Sequence, residues 1–157
     1  MRINDKVVVV TGAGSGIGRA MSEKFVAEGA RQVVAVDINA ENAQQTANKL
    51  GCVAMTADVS RDADIKRIIE DTEANIGPID LFCGNAGAGM GRSEQSPDQE
   101  WQMSWEVNVM SHVYAARHLI PRMIERGGGY LLNTASAAGL LNQIGSAAHR
   151  GTKHAAV

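Results

Sequence analysis

Four consecutive valines, Val7 to Val10, run into Thr11-Gly12-Ala13-Gly14-Ser15-Gly16-Ile17-Gly18 and from there straight into a stretch of helical periodicity. An unbroken apolar run, without alternation, reads as a strand buried on both faces. A strand that leaves through a glycine turn into a helix N-terminus suits a pyrophosphate. Glycine lets backbone N–H groups approach the anion closely, and the helix dipole favours its charge. Such a glycine string is a weak signal alone, but its place between strand and helix makes it a strong one.

The second apolar run, Val34-Ala35-Val36, ends at Asp37-Ile38, about twenty residues past the last glycine, where a dinucleotide fingerprint places an acid. A carboxylate there accepts the ribose hydroxyls of an adenosine and repels a 2′-phosphate. Neither Ser15 nor Ile38 supplies a compensating positive charge. The sequence therefore predicts NAD rather than NADP, with Gly12, Gly14, Ser15, Gly16, Ile17 and Gly18 at the phosphates and Asp37 and Ile38 at the ribose. The plainer role for Asp37, capping the next helix, falls more naturally to Asn39.

Short apolar runs alternate with longer helix-period stretches along the rest of the chain. Strands are expected over Lys6 to Thr11, Gln32 to Val36, Val53 to Ala57, Leu81 to Gly84 and Tyr130 to Thr134. Ile17, Met21 and Phe25 mark the sheet-facing side of the first helix. Ile65, Ile68, Ile69 and Ile76 mark that of a helix over Asp62 to Ile76, capped by Ser60 and stopped at Gly77-Pro78. Ser96-Pro97-Asp98-Gln99 reads as a capping box with proline at the first helical position, opening a long helix that ends at Gly127-Gly128-Gly129. A last helix begins near Ala147. With right-handed crossovers this order gives an α/β fold, a doubly wound parallel sheet of strand order 3-2-1-4-5 with helices on both faces. The 157 residues, 45% of them hydrophobic, suffice for one core, so residues 1–157 are expected to form a single NAD-binding domain. The chain stops inside its last helix without a cap, so the sheet is expected to lack its final strands.

Several function classes are disfavoured. Fifteen basic against seventeen acidic residues give a net charge of −2 with no basic stripe, so no nucleic-acid partner is expected. No apolar run is long enough for a membrane span, and the first residues lack a secretory layout, which points to the cytoplasm. Cys52 and Cys83 lie in separate apolar stretches and read as reduced, buried thiols. No His, Cys and acid spacing suggests a metal site; His112 and His118 lie on nearly opposite sides of their helix. Trp101 and Trp105 read as packing or interface residues.

The spacing Thr-Gly-x-x-x-Gly-x-Gly resembles that of the short-chain dehydrogenase/reductase family, whose members have a Rossmann fold. Asp58-Val59 looks like the family's adenine-contacting acid and its neighbour. Gly84-Asn85-Ala86-Gly87 resembles the Asn-Asn-Ala-Gly motif with its first asparagine replaced, and places Asn85, Ala86 and Gly87 at the coenzyme. Asn108 matches the catalytic asparagine, Ser136 the catalytic serine, and Lys153 the lysine that binds the nicotinamide ribose and lowers the pKa of a tyrosine four residues before it. In this sequence that tyrosine position is His149, and neither Tyr114 nor Tyr130 has a lysine four residues on.

The resemblance implies hydride transfer between NAD and a secondary alcohol or ketone, with Asn108, Ser136, His149 and Lys153 at the reacting centre. Imidazole moves protons near neutral pH but is shorter than a phenol, and its cation is disfavoured beside Lys153. The expectation is a protein that binds NAD and turns over poorly; the alternative is a catalytically silent NAD-binding homologue acting as sensor or oligomer partner. Ala88, Gly89, Met90, Gly139, Leu140, Leu141 and Asn142 follow strand ends and suggest an apolar substrate pocket. Family members associate through the long helix and the lysine helix, which implies a homo-oligomer, a dimer or tetramer.

Overall fold

The computed structural model describes residues 1–141 and 145–157. Its sheet has five parallel strands, β1 (Val7–Thr11), β2 (Gln32–Asp37), β3 (Val53–Thr56), β4 (Leu81–Gly84) and β5 (Tyr130–Asn133), in the order β3-β2-β1-β4-β5. Val8 pairs with Val33 on one side and with Leu81 on the other, so the strand order reverses across β1. A crevice opens at the carboxyl ends of β1 and β4, the switch point where such sheets hold their ligands.

The valine run is divided between two layers by the period of two along a strand. Val9, with Val34 and Val36, packs against Ile65, Ile68 and Ile69 of α3 (Asp62–Asn75) and Leu119 and Met123 of α5 (Ser111–Glu125). Val8 and Val10, with Val33 and Ala35, pack against Met21 and Phe25 of α1 (Gly16–Ala27) on the other face. All four valines are fully buried, and each such side chain contributes about 1.5–3 kcal/mol of hydrophobic stabilisation. α2 (Ala40–Leu50) lies beside α1, tied to it by Arg19 Nε donating to Thr46 Oγ1 at 3.1 Å. α4 (Asp98–Trp105) and α6 (Ala147–Ala155) pack on each other near the carboxyl end of the sheet. Helices thus cover both faces, as the sequence pattern requires.

Local chemistry differs from expectation at several points. Strand ends move by one residue: Lys6, Ala57 and Thr134 fall outside β1, β3 and β5, while Asp37 closes β2. Ile17 is exposed and does not pack on the sheet, because the first turn of α1 fronts the crevice. Ser60 does not cap α3. Arg61 holds the cap position without a side-chain bond, and Ser60 donates instead to Asp58 Oδ1. No capping box forms at residues 96–99 either: Pro97 is the cap residue, and Ser96 Oγ accepts the amide of Ser93. Asn39 does cap α2, accepting the amide of Asn42 at 2.9 Å.

The long helix is not uniform. Between α4 and α5, residues Glu106–Met110 form a π-helical turn, a widening that occurs mostly as isolated turns and often at functional sites. The turn holds Asn108 fully buried.

Candidate active site

Thr11 ties the ends of β1 and β4 together, and Asn85 extends the tie to β5. Its hydroxyl donates to the carbonyl of Cys83 at 3.1 Å and accepts the amides of Asn85 and Ala86. Asn85 returns a bond from Nδ2 to the Thr11 carbonyl and accepts from Thr134 Oγ1. The frame fixes the rim of a cavity of about 490 Å³. Gly12, Ser15, Gly16, Ile17, Gly18, Asp37, Ile38, Asp58, Val59, Asn85, Ala86 and Gly87, which the sequence placed at the coenzyme, all line it.

Gly14 and Lys153, also predicted to meet the coenzyme, do not line the cavity. Gly14 is buried and works from behind: its amide donates to Asp37 Oδ2 at 2.9 Å, while Asp37 Oδ1 accepts the amide of Asn39. Asp37 therefore braces the glycine turn as well as facing the cavity. Gly18 is required by space and Gly16 is favoured by its positive φ. A Cβ on Gly18 would stand 2.1 Å from the Gly12 carbonyl oxygen, whereas Gly16, at φ 49°, has open space where a side chain would project. Ser15, at the N-cap of α1, makes no side-chain cap hydrogen bond, and the first turn of α1 lines the cavity. Amides at a helix start, which donate, and a carboxylate at the end of β2, which accepts, are what a dinucleotide needs, and the residues present fit that group.

Past the cavity's apolar end, formed by Ala88, Met90, Met103 and Val107, lie the predicted reacting groups. Asn108 Oδ1 accepts the Ala88 amide at 3.0 Å, and its Nδ2 donates to the Ala88 carbonyl at 2.9 Å and to Thr152 Oγ1 at 3.0 Å. The His149 Nδ1 lies 2.9 Å from the same Ala88 carbonyl. Lys153 is 4% exposed, donates from Nζ to the Thr134 carbonyl at 3.1 Å, and has its pKa lowered by burial. Its Nζ is 3.7 Å from where a Cβ of Gly87 would stand. Asn108, His149 and Lys153 thus gather about the Gly87-Ala88 segment. Ser136 sits on a neighbouring 3₁₀ turn, Ala137–Gly139, where its Oγ accepts the Ala138 amide and leaves its proton free to donate.

His112 packs its ring against Gly84, with its pKa lowered first by burial and then by the charge of Lys153. Of the other positions read as pocket residues, Ala88 and Met90 do line the cavity. Leu140 and Leu141 are exposed, Gly139 is buried against α6, and Asn142 lies outside the described residues. Cys83 is buried, but Cys52 is only half-buried. Among the described residues no three His, Cys, Asp or Glu side chains converge as a metal would need, and no helix is long and apolar enough to cross a membrane.

Sequence reasoning missed three contributors. Thr11 closes an expected strand and Thr152 falls within the expected last helix; nothing in the pattern marked either as a strut. Arg19 is the cation nearest the glycine turn, but its guanidinium is committed to the Gly14 carbonyl and Thr46 Oγ1.

A sheet of this order, with an uncapped glycine turn on its crevice and an acid closing β2, defines a dinucleotide-binding α/β protein. A sequence profile of the short chain dehydrogenases matches residues 6–157, and the chain belongs to that family. It is 37% identical over 164 residues to a 1-deoxy-11-beta-hydroxypentalenate dehydrogenase of Streptomyces exfoliatus, covering 99% of this chain and 59% of that protein. A 2,5-dichloro-2,5-cyclohexadiene-1,4-diol dehydrogenase of Sphingobium indicum is likewise 37% identical, over 99% of this chain and 64% of its own length. Among solved structures, a short chain dehydrogenase/reductase from Burkholderia phymatum in complex with NAD superposes with a TM-score of 0.94 at 31% identity, over 99% of this chain and 57% of that one. A 7 alpha-hydroxysteroid dehydrogenase complexed with NADH and 7-oxo glycochenodeoxycholic acid gives 0.93 at 28% identity, over 99% and 62%. The chain spans about three-fifths of the length of these relatives.

Proposed function

We propose that the protein is an NAD-dependent oxidoreductase acting on a secondary alcohol or ketone of apolar character. When bound, the oxidised nicotinamide accepts a hydride from the carbinol carbon. The chain's own residues do the rest. First-turn amides of α1 meet the pyrophosphate, Asp37 accepts the adenosine ribose hydroxyls, Asp58 and Val59 flank the adenine, and Asn85 to Gly87 shape the floor. Lys153 holds the nicotinamide ribose, Ser136 donates to the substrate oxygen, and His149 takes the place of the family's tyrosine in moving the hydroxyl proton. Met90, Met103 and Val107 give the substrate end an apolar wall, in keeping with relatives named for hydroxyl- or oxo-bearing carbon skeletons.

The observation that carries the coenzyme reading is the pair formed by the open Gly16 position and the Asp37 carboxylate 2.9 Å from the Gly14 amide. Calorimetric titration of the full-length protein tests it: NAD should bind at least about tenfold more tightly than NADP. Uptake of neither, or a preference for NADP, ends the proposal.

A second reading, a silent NAD-binding homologue, is favoured by one fact, that the shorter His149 ring leans on a backbone carbonyl. Following reduced nicotinamide by absorbance with a panel of secondary alcohols separates the two, since the silent form gives no signal. In either case we place the protein in the cytoplasm as a homo-oligomer. The exposed Trp105, Val113, Ile120 and Ile124 on α4 and α5 are the surface offered to a second copy.

A further inference from the structure

We infer that Asn108 is a positioning residue for His149: by clamping the Ala88 peptide it presents a carbonyl that fixes the imidazole as the Nδ1–H tautomer and keeps the Nε2 lone pair as the proton acceptor. The inference rests on the proposed placing of His149 at the proton-transfer position, and it adds which ring atom reacts and what holds it so.

Ala88 O has lone pairs only, so a ring nitrogen 2.9 Å away must be the donor. In the other neutral tautomer two lone pairs would face each other at that distance. The carbonyl in turn is not free to turn away. Asn108, fully buried, grips the amide and the carbonyl of Ala88 at 3.0 and 2.9 Å, and spends its remaining N–H on Thr152. Farther along the same loop, the Gly91 amide donates to Glu100 Oε2 at 3.0 Å, and the Gly91 carbonyl accepts the Ala148 amide at 3.2 Å. The acceptor for His149 is therefore held from α4, from the π turn and from α6 itself.

Fixing one nitrogen defines the other, which is how a hydrogen-bonded imidazole is tuned elsewhere. As alcohol is oxidised, the O–H bond breaks and its proton moves to His149 Nε2. The hydride leaves carbon for the bound oxidised nicotinamide, and a C=O bond forms. The imidazolium that results keeps its Nδ1–H on Ala88 O, in a bond strengthened by the new charge. Ketone reduction runs the same transfers backwards. A phenol gives and takes through one oxygen; here orientation and proton transfer are divided between two nitrogens.

The test is ¹⁵N spectroscopy of the full-length protein with ring-labelled histidine, His149 being assigned by its loss in His149→Phe. Above the imidazole titration range, the expected result is a protonated, pyrrole-type Nδ1 and an unprotonated, pyridine-type Nε2. The reverse pattern in the unmodified protein overturns the inference without any variant. Asn108→Ala should then give averaged tautomers, with kcat lowered about tenfold or more and the KM for NAD within about twofold. Thr152→Val, which removes only the outer partner of Asn108, should move the ring signals part of the way and covers the case in which Asn108→Ala does not fold. Ring signals indifferent to both changes also overturn it. NAD binding with the expected tautomer but no turnover would instead count against the oxidoreductase reading and leave the positioning intact.

Discussion

Replacing Asp37 with serine removes two things at once, because the carboxylate is both the ribose acceptor and a brace. Its oxygens take the amides of Gly14 at 2.9 Å and Asn39 at 3.0 Å. Charge-assisted bonds contribute about 1.5–3 kcal/mol each when buried. Asp37 is half-buried, so about 2 kcal/mol for the pair is reasonable, a fall in Tm of roughly 4–8 °C for a chain of this size. Losing the ribose contacts costs a further 1.5–3 kcal/mol or so, which weakens NAD about ten- to a hundredfold. Relief of repulsion toward a 2′-phosphate returns about 3 kcal/mol per unit charge at about 5 Å and an effective dielectric near 20, and roughly half of that at a solvated rim. The slackened Gly14 turn offsets most of this gain. Asp37→Ser should therefore bind NAD poorly without becoming an NADP protein. Adding Ile38→Arg, at a position 68% exposed on the cavity rim, should then tighten NADP about tenfold. Calorimetry with both coenzymes, paired with thermal melts, measures each term. An Asp37→Ser protein that melts with the parent and binds NAD within twofold of it would refute the reasoning.

Three other changes probe separate parts of the molecule. His149→Tyr in the full-length protein should raise kcat about a hundredfold, the lower end of what a well-placed general acid–base supplies, with NAD affinity within about twofold; equal rates would show that the imidazole already serves. Gly18→Ala forces a Cβ to 2.1 Å from the Gly12 carbonyl and should cost about 1–3 kcal/mol and most of the NAD affinity; unchanged melting and titration curves would show that the turn yields. Burial pushes the Cys83 thiol up to about 12. Above the ordinary thiol range the unfolded chain ionises and the folded one does not, so stability falls as pH rises from about 9 to 12, by up to about 4 kcal/mol. Cys83→Ala should flatten that alkaline limb in denaturant titrations at stepped pH, and a limb unchanged by the substitution would assign it elsewhere.

The strand order and the cradle were legible in the sequence because each rests on a local rule. Four valines in a row admit few alternatives to a two-sided strand, and a glycine turn between strand and helix has one use that its geometry favours. What was not legible was the chemistry of second partners. Ser60 and Ser96 have the composition of caps, yet in the fold they bond to Asp58 and Ser93, since a hydroxyl takes whichever partner the tertiary path brings nearest. Ile17 fits the apolar period of α1 but falls on the turn that the crevice exposes. Asn108 was marked by its match to a family position, but the π turn that accommodates it, and its grip on Ala88 from twenty residues away, leave no trace in periodicity. Ser136, matched to a family position, also caps a 3₁₀ turn through the Ala138 amide, which no pattern in the sequence marked.

The widened turn at Glu106–Met110 also sets the phase of the whole rod from Asp98 to Glu125. An α-helix advances about 100° per residue, and the i→i+5 turn takes up one residue more than an α turn, so tightening it to α geometry with every residue kept would swivel one half against the other by about that angle. Either Leu119 and Met123 would leave the sheet, or the α4 surface bearing Trp101 would turn away from Gly151 of α6. The extra residue acts as a rotary coupling: one continuous cylinder serves two clients on different bearings, and a loss of the wide turn with its residues retained would cost one of the two contacts.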